Sequence, residues 1–98
     1  MEEGLSNFMV TFIVEAAPDS LYGELTRWLL EPKHGVFVGN VNAMVREKLW
    51  KKIQNSGNET SAIMIFNSDT EQGYSLEMTG EPKRCVVDIE GIELIKIQ

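Results

Sequence analysis

Two stretches with helical apolar spacing are each bracketed by short β-rich runs, and this alternation limits the chain to a helix-covered sheet. The first, "PDSLYGELTRWLLE" (18–31), puts Leu21, Leu25, Trp28 and Leu29 on one helical face. Pro18 suits a first helical turn, Asp19 favours that end through the helix dipole, and Pro32 is expected to stop the helix. Gly23 lies inside it, at a cost of about 1 kcal/mol relative to Ala, which suggests a close backbone approach. The second, "NVNAMVREKLWKKIQNSG" (40–57), repeats the pattern with Val41, Val45, Leu49 and Ile53. Asn40 or Asn42 can cap its start, and Gly57 marks its end.

The β-rich runs are "NFMVTFIVEA" (7–16), "GVFVG" (35–39), "SAIMIFN" (61–67), "YSLEMTG" (74–80) and "CVVDIEGIELIKIQ" (85–98). The fourth alternates Tyr74, Leu76 and Met78 with Ser75, Glu77 and Thr79, as a strand with one solvated face does. A turn-rich loop, "NSDTEQG", precedes it. The order of elements matches β-α-β-α-β-β or, with shifts of register, an α+β, ferredoxin-like sandwich, and the latter is the expected fold. Its sheet is mostly antiparallel, two helices cover one face, and an extra strand lies at the C-terminus.

Ninety-eight residues make one domain, spanning 1–98, and a chain this short often draws stability from pairing with a copy or a partner. No apolar run is long enough for a helix to span a bilayer, and Met-Glu-Glu lacks the basic start of a signal peptide. A cytoplasmic protein with no membrane partner is expected. One cysteine, Cys85, excludes an internal disulfide framework and a cysteine zinc site; it reads as a small buried hydrophobe. The net charge of −6 is unevenly spread. Residues 1–20 carry −4, residues 21–56 carry +3, and residues 57–98 carry −5. A freestanding nucleic-acid binder is usually basic overall, so this chain offers at most a local basic patch, while its acidic remainder can meet a basic partner.

The glycines of Gly35-Val-Phe-Val-Gly39 do not make a phosphate loop. Such a loop needs a lysine and a hydroxyl residue after its last glycine, and here Asn40 and Val41 follow. The G-x-G-x-x-G dinucleotide fingerprint is absent too. The two glycines read as bounds of a short strand. His34, the only histidine, has no second histidine for a metal pair and sits in an exposed loop. Glu15 closes the first strand. Alone it is a solvated strand-end carboxylate; doubled by a two-fold axis it can hold Mg²⁺. Arg46, Lys48, Lys51 and Lys52 lie mostly off the apolar stripe of the second helix, and Lys83-Arg84 can grip phosphate as a pair. Spaced exposed aromatics of the kind that stack RNA bases are missing.

The segment "RWLLEPKHGVFVGNVNAMVREKLWKKI" resembles the small adaptation protein of CRISPR systems, the Cas-two family, in its subtype I-E branch. The likeness rests on Trp28-Leu29-Leu30-Glu31, then Gly35 to Gly39, then Arg46-Glu47 and Trp50. It continues through Asn67, Thr70-Glu71, Gly73, Gly80-Glu81, Arg84, Asp88 and Gly91. The resemblance implies a ferredoxin-like fold and a homodimer whose sheets pack together. That dimer would bridge two dimers of the Cas-one integrase and hold the middle of a captured foreign DNA duplex for insertion as a new spacer.

The resemblance further implies DNA contacts at Lys83 and Arg84, with Arg46 and Lys33 as weaker candidates, and integrase contacts at Glu71 and Glu90. Scaffolding of this kind requires no cofactor. Where relatives carry arginines in the loop entering the first helix, this chain has Ser20 and Tyr22. Relatives outside the branch have an aspartate where Glu15 stands and are described as metal-dependent nucleases. The alternative is thus a Mg²⁺-dependent endonuclease using Glu15 paired across the dimer. Some relatives continue into an exonuclease-like domain, so 1–98 is also compatible with the N-terminal part of a longer chain.

Overall fold

A computed structural model of the protein describes residues 8–80, 84–89 and 92–97. The elements are β1 (Phe8–Glu15), α1 (Asp19–Thr26), β2 (Leu30–Lys33), β3 (Val36–Val41), α2 (Ala43–Gln54), β4 (Ser61–Asn67), β5 (Tyr74–Thr79), β6 (Arg84–Ile89) and β7 (Ile92–Ile97). Five strands form one sheet in the order β2-β3-β1-β4-β5, with every neighbouring pair antiparallel. The first six elements are therefore the β-α-β-β-α-β unit of a ferredoxin-like sandwich. β5 extends its sheet, and β6 and β7 form a separate antiparallel hairpin. The C-terminal segment is thus a strand pair, within the one or two further strands that its sequence allows. Among the described residues no helix is long and apolar enough to cross a membrane.

Phe12, at the centre of β1, has Phe37 opposite it on β3 and Met64 opposite it on β4. All three are fully buried, together with Leu25 of α1 and Leu49 and Ile53 of α2. Trp50 stacks on Phe12 with ring centroids 6.2 Å apart. Both helices therefore cover the same face of the sheet. Each of these large side chains contributes about 1.5–3 kcal/mol by leaving water. The Asn42 side chain accepts from Val45 N at 2.9 Å and caps α2, which settles the choice between the two asparagines.

The first helix is shorter than its apolar spacing predicts. It ends at Thr26, and Leu30–Lys33 is a strand. Pro32 lies in that strand and did not end a helix. It biases the residue before it toward extended backbone, and β2 is an edge strand, where a missing N–H is tolerated. Leu29 is still buried, reaching the core from the connection after α1, while Trp28 is 52% exposed. Gly39 makes room for that connection: a Cβ there would come within 2.7 Å of Leu29 Cδ2.

Gly35 closes the β2–β3 hairpin through a two-residue His34-Gly35 turn, at φ +83°. Its carbonyl accepts from Val14 N at 2.7 Å and its N–H donates to Glu31 Oε2 at 2.9 Å. A Cβ there would sit 2.6 Å from the Val14 carbonyl oxygen. Gly23 differs, because nothing lies within 4 Å of a Cβ added to it, so the close approach suggested by the sequence is absent. Gly35→Ala is expected to destabilise by about 2–4 kcal/mol, through left-handed strain plus the backbone clash. Gly23→Ala is expected to stabilise by up to about 1 kcal/mol. Urea unfolding of the two variants checks the opposite signs.

Candidate nucleic-acid and partner interface

The strand directions sort the expected site residues onto the two ends of the sheet. Glu15 closes β1 opposite Ser61, the first residue of β4. At the same end Gly80 presses on Ser61, where an added Cβ would lie 2.6 Å from Ser61 Cα. Lys33 and the His34-Gly35 turn are also here, because Gly35 bonds to Val14. Arg84, which opens β6, is four residues beyond Gly80, so its backbone is within about 14 Å of this end by chain length alone. Lys83 and Glu90 lie outside the described residues.

Glu15 is exposed and follows Ile13 on the face opposite the helices. The next residue, Ala16, has φ 59°, an uncommon conformation for a residue with a side chain. Its carbonyl accepts from Thr60 Oγ1 at 3.3 Å, and Ser56 Oγ donates to that same Thr60 oxygen at 3.0 Å, so the turn out of β1 is tied to the loop after α2. Among the described residues no three of His, Cys, Asp and Glu cluster to hold a metal. One carboxylate does not make a Mg²⁺ site by itself, since that ion draws its ligands from carboxylates, waters and substrate phosphates together. The described residues of one protomer therefore do not fit the ion, and a second Glu15 would have to come from another copy of the chain.

Lys33 and His34 are exposed, the latter at 83% by side chain. The His34 ring lies against Tyr22, tilted by 30° with centroids 4.9 Å apart, and its Nδ1 lies 3.7 Å from Glu31 Oε2. The exposed loop histidine expected from sequence is thus exposed but held by an aromatic neighbour.

Glu71 and Arg46 belong to the opposite end. Glu71 is exposed in the β4–β5 loop. That loop is fixed by Ser68 N donating to Gly73 O (3.1 Å), Gly73 N to Thr70 O (3.0 Å) and Thr70 Oγ1 to Tyr74 O (3.1 Å). A carboxylate on such a loop is presented without first having to order the backbone. Arg46 is different from what its sequence position suggests. Its guanidinium lies 4.0 Å from the centroid of Phe66 and its Nε donates to Glu47 Oε2 at 3.1 Å, leaving the side chain 14% exposed. It is a packing residue at this end of the sheet, set against the interior strand β4.

The helix-free face carries two apolar rows in register across four strands: Val36, Ile13, Ile63, Met78 and Val38, Thr11, Ile65, Leu76. All eight are half-buried. The sequence showed the alternation within each strand but not that the rows align, which requires the strand order. It also hid the tether of Arg46, whose partner Phe66 is twenty residues away, and the strand β2. The extended bias before Pro32 and the His34-Gly35 turn were the available signals for β2.

The Arg46 geometry gives a test. Arg46→Ala should lower stability by about 1 kcal/mol through loss of the ring contact, and Arg46→Lys should not fully restore it. Thermal melts read this directly; unchanged stability in both variants would return Arg46 to the pool of free cations.

The family model described as CRISPR-associated protein (Cas_Cas2CT1978) matches residues 9–94, which covers β1 through the middle of β7. The ferredoxin-like sheet with its two helices agrees with that match. The chain therefore belongs to this CRISPR-associated family and is a Cas-two-type protein of CRISPR defence.

Proposed function

We propose that the protein is a scaffold subunit of the spacer-acquisition complex, of the subtype I-E kind. In this reading it is a homodimer that bridges two Cas-one integrase dimers and holds the middle of a captured DNA duplex. The observation that carries the reading is the pair of in-register apolar rows on the helix-free face, in a chain of this family. Eight half-buried apolar or β-branched side chains on one sheet face gain most by meeting a second such surface, as stacked sheets do. A two-fold pairing through this face repeats the two ends of the sheet on both sides of the axis.

The ends then have distinct uses. Lys33 and Arg84, with Lys83 preceding it, supply cations for phosphate contact at one end. Glu71, on its fixed loop, supplies a carboxylate for a basic integrase surface, with Glu90 as its companion. The acidic surplus of the chain serves protein contact, where complementary charge steers association and sets register. The chemistry of integration belongs to the partner, and Glu15 is dispensable in this reading. In the alternative, the paired sheets bring two Glu15 carboxylates together around Mg²⁺ for phosphodiester cleavage.

Two measurements test the proposal. Ile63→Glu, in the middle of the apolar rows, should convert the protein to monomer in sedimentation while circular dichroism stays native; a dimer that persists would remove this face from the interface. Glu15→Ala should leave spacer acquisition in cells intact. Loss of acquisition together with loss of metal-dependent cleavage by the purified protein would overturn the scaffold in favour of the nuclease.

A further inference from the structure

The cations of the second helix form a feature that neither the apolar face nor the two sheet ends explain. Lys48, Lys51 and Lys52 follow one another at the i, i+3 and i+4 spacing that places side chains on one helical face. All three are exposed, whereas Leu49, Trp50 and Ile53 point into the core. The last two lysines suit the negative end of the helix dipole, but Lys48 lies before the last turn. Among the described residues, Lys48 and Lys51 have no carboxylate within ion-pair distance.

Lys52 Nζ donates to Glu24 Oε2 of α1 at 3.0 Å. That hydrogen bond and the charge of Lys52, with a further contribution from Arg27, hold the Glu24 carboxyl below its ordinary pKa. Glu24 is therefore the acid that occupies Lys52 in the free protein, whereas Glu47, the acid of α2 that precedes Lys48, bonds to Arg46.

We propose that this outward face of α2, built on Lys48, Lys51 and Lys52 with Arg27 alongside, is a separate binding surface for the phosphate backbone of a DNA duplex, one per protomer. It rests on the reading of the chain as a DNA-holding subunit and adds a contact on the helical layer, away from the sheet face that pairs. Three observations select this occupant. Lysine is depleted in protein–protein interfaces, and the lysine face offers no aromatic or aliphatic anchor, since the large apolar side chains of this half of α2 are turned inward. Single strands are held by exposed aromatic platforms, and Trp50, the only aromatic of α2, is buried on Phe12. Mobile ammonium groups without bidentate geometry match backbone phosphates, which need charge and carry no sequence information. Binding releases Lys52 from Glu24, so Glu24 weakens the surface it belongs to.

The two sets of residues make opposite predictions. Binding of the full-length protein to a 30-base-pair duplex of arbitrary sequence is followed by fluorescence anisotropy across a salt series. Lys48→Gln with Lys51→Gln should weaken binding about tenfold at low salt and lower the salt slope by about two. Glu24→Gln should tighten binding several-fold, by freeing Lys52. Thermal melts of all variants should stay near the parent, because the substituted side chains are at the surface. An unchanged salt slope in the lysine variant, or no gain from Glu24→Gln, overturns the proposal. So does equal or better binding to poly-glutamate at matched charge, which assigns the face to an acidic protein. Loss of duplex binding in Lys83→Ala with Arg84→Ala alone, with the helix variants unaffected, removes this surface and leaves the scaffold standing. If the parent protein binds no duplex, the surface falls, and the scaffold is judged by spacer acquisition.

Discussion

The contact of Phe12 with Phe37 and Met64 on either side and Trp50 above fixes the sidedness of the whole sheet. Side chains alternate along each strand, so placing Phe12 under the helices forces Thr11 and Ile13 to the other face. The same holds for Val36 and Val38 on β3 and Ile63 and Ile65 on β4. A slip of one residue would put the Phe12 ring outside and a threonine in the core. The apolar outer rows are thus a consequence of the register that the inner aromatic row selects.

Register also decides which residues share an end. Because β1, β3 and β4 alternate in direction, Glu15, Ser61 and the His34-Gly35 turn meet at one end, and Asn67 with the β4–β5 loop lies at the other. Two glycines hold this arrangement in place. Gly35 lets the β2–β3 turn come against the Val14 carbonyl, and Gly39 lets Leu29 pack on β3. The glycine-bounded strand serves packing on both sides, which agrees with its lack of the residues a phosphate loop requires.

Charge follows the same division of surfaces. The helical layer holds the positive stretch of the chain, with Glu24 set among its lysines. Arg46 belongs to this stretch by sequence, yet its guanidinium is spent on Phe66 and Glu47. A count of cations along the chain treats it as equal to Lys48; packing separates the two.

The sequence by itself determined the fold class, both helices, most strands and the family. Those depend on local apolar period and on motif spacing, which neighbouring residues carry. It read the first helix too long, because Trp28 and Leu29 continue its period although Leu29 reaches the core from a connection instead. It assigned Gly23 a close contact that space around the helix does not require. Only the tertiary structure decided that β2 exists as an edge strand, that the outer rows align across four strands, and that Glu15 and Lys33 share an end with Ser61. It alone separated the tethered Arg46 from the free Lys48 and Lys51. Each of these depends on pairings between residues distant in the chain, and a periodic pattern within one element carries no information about its partner.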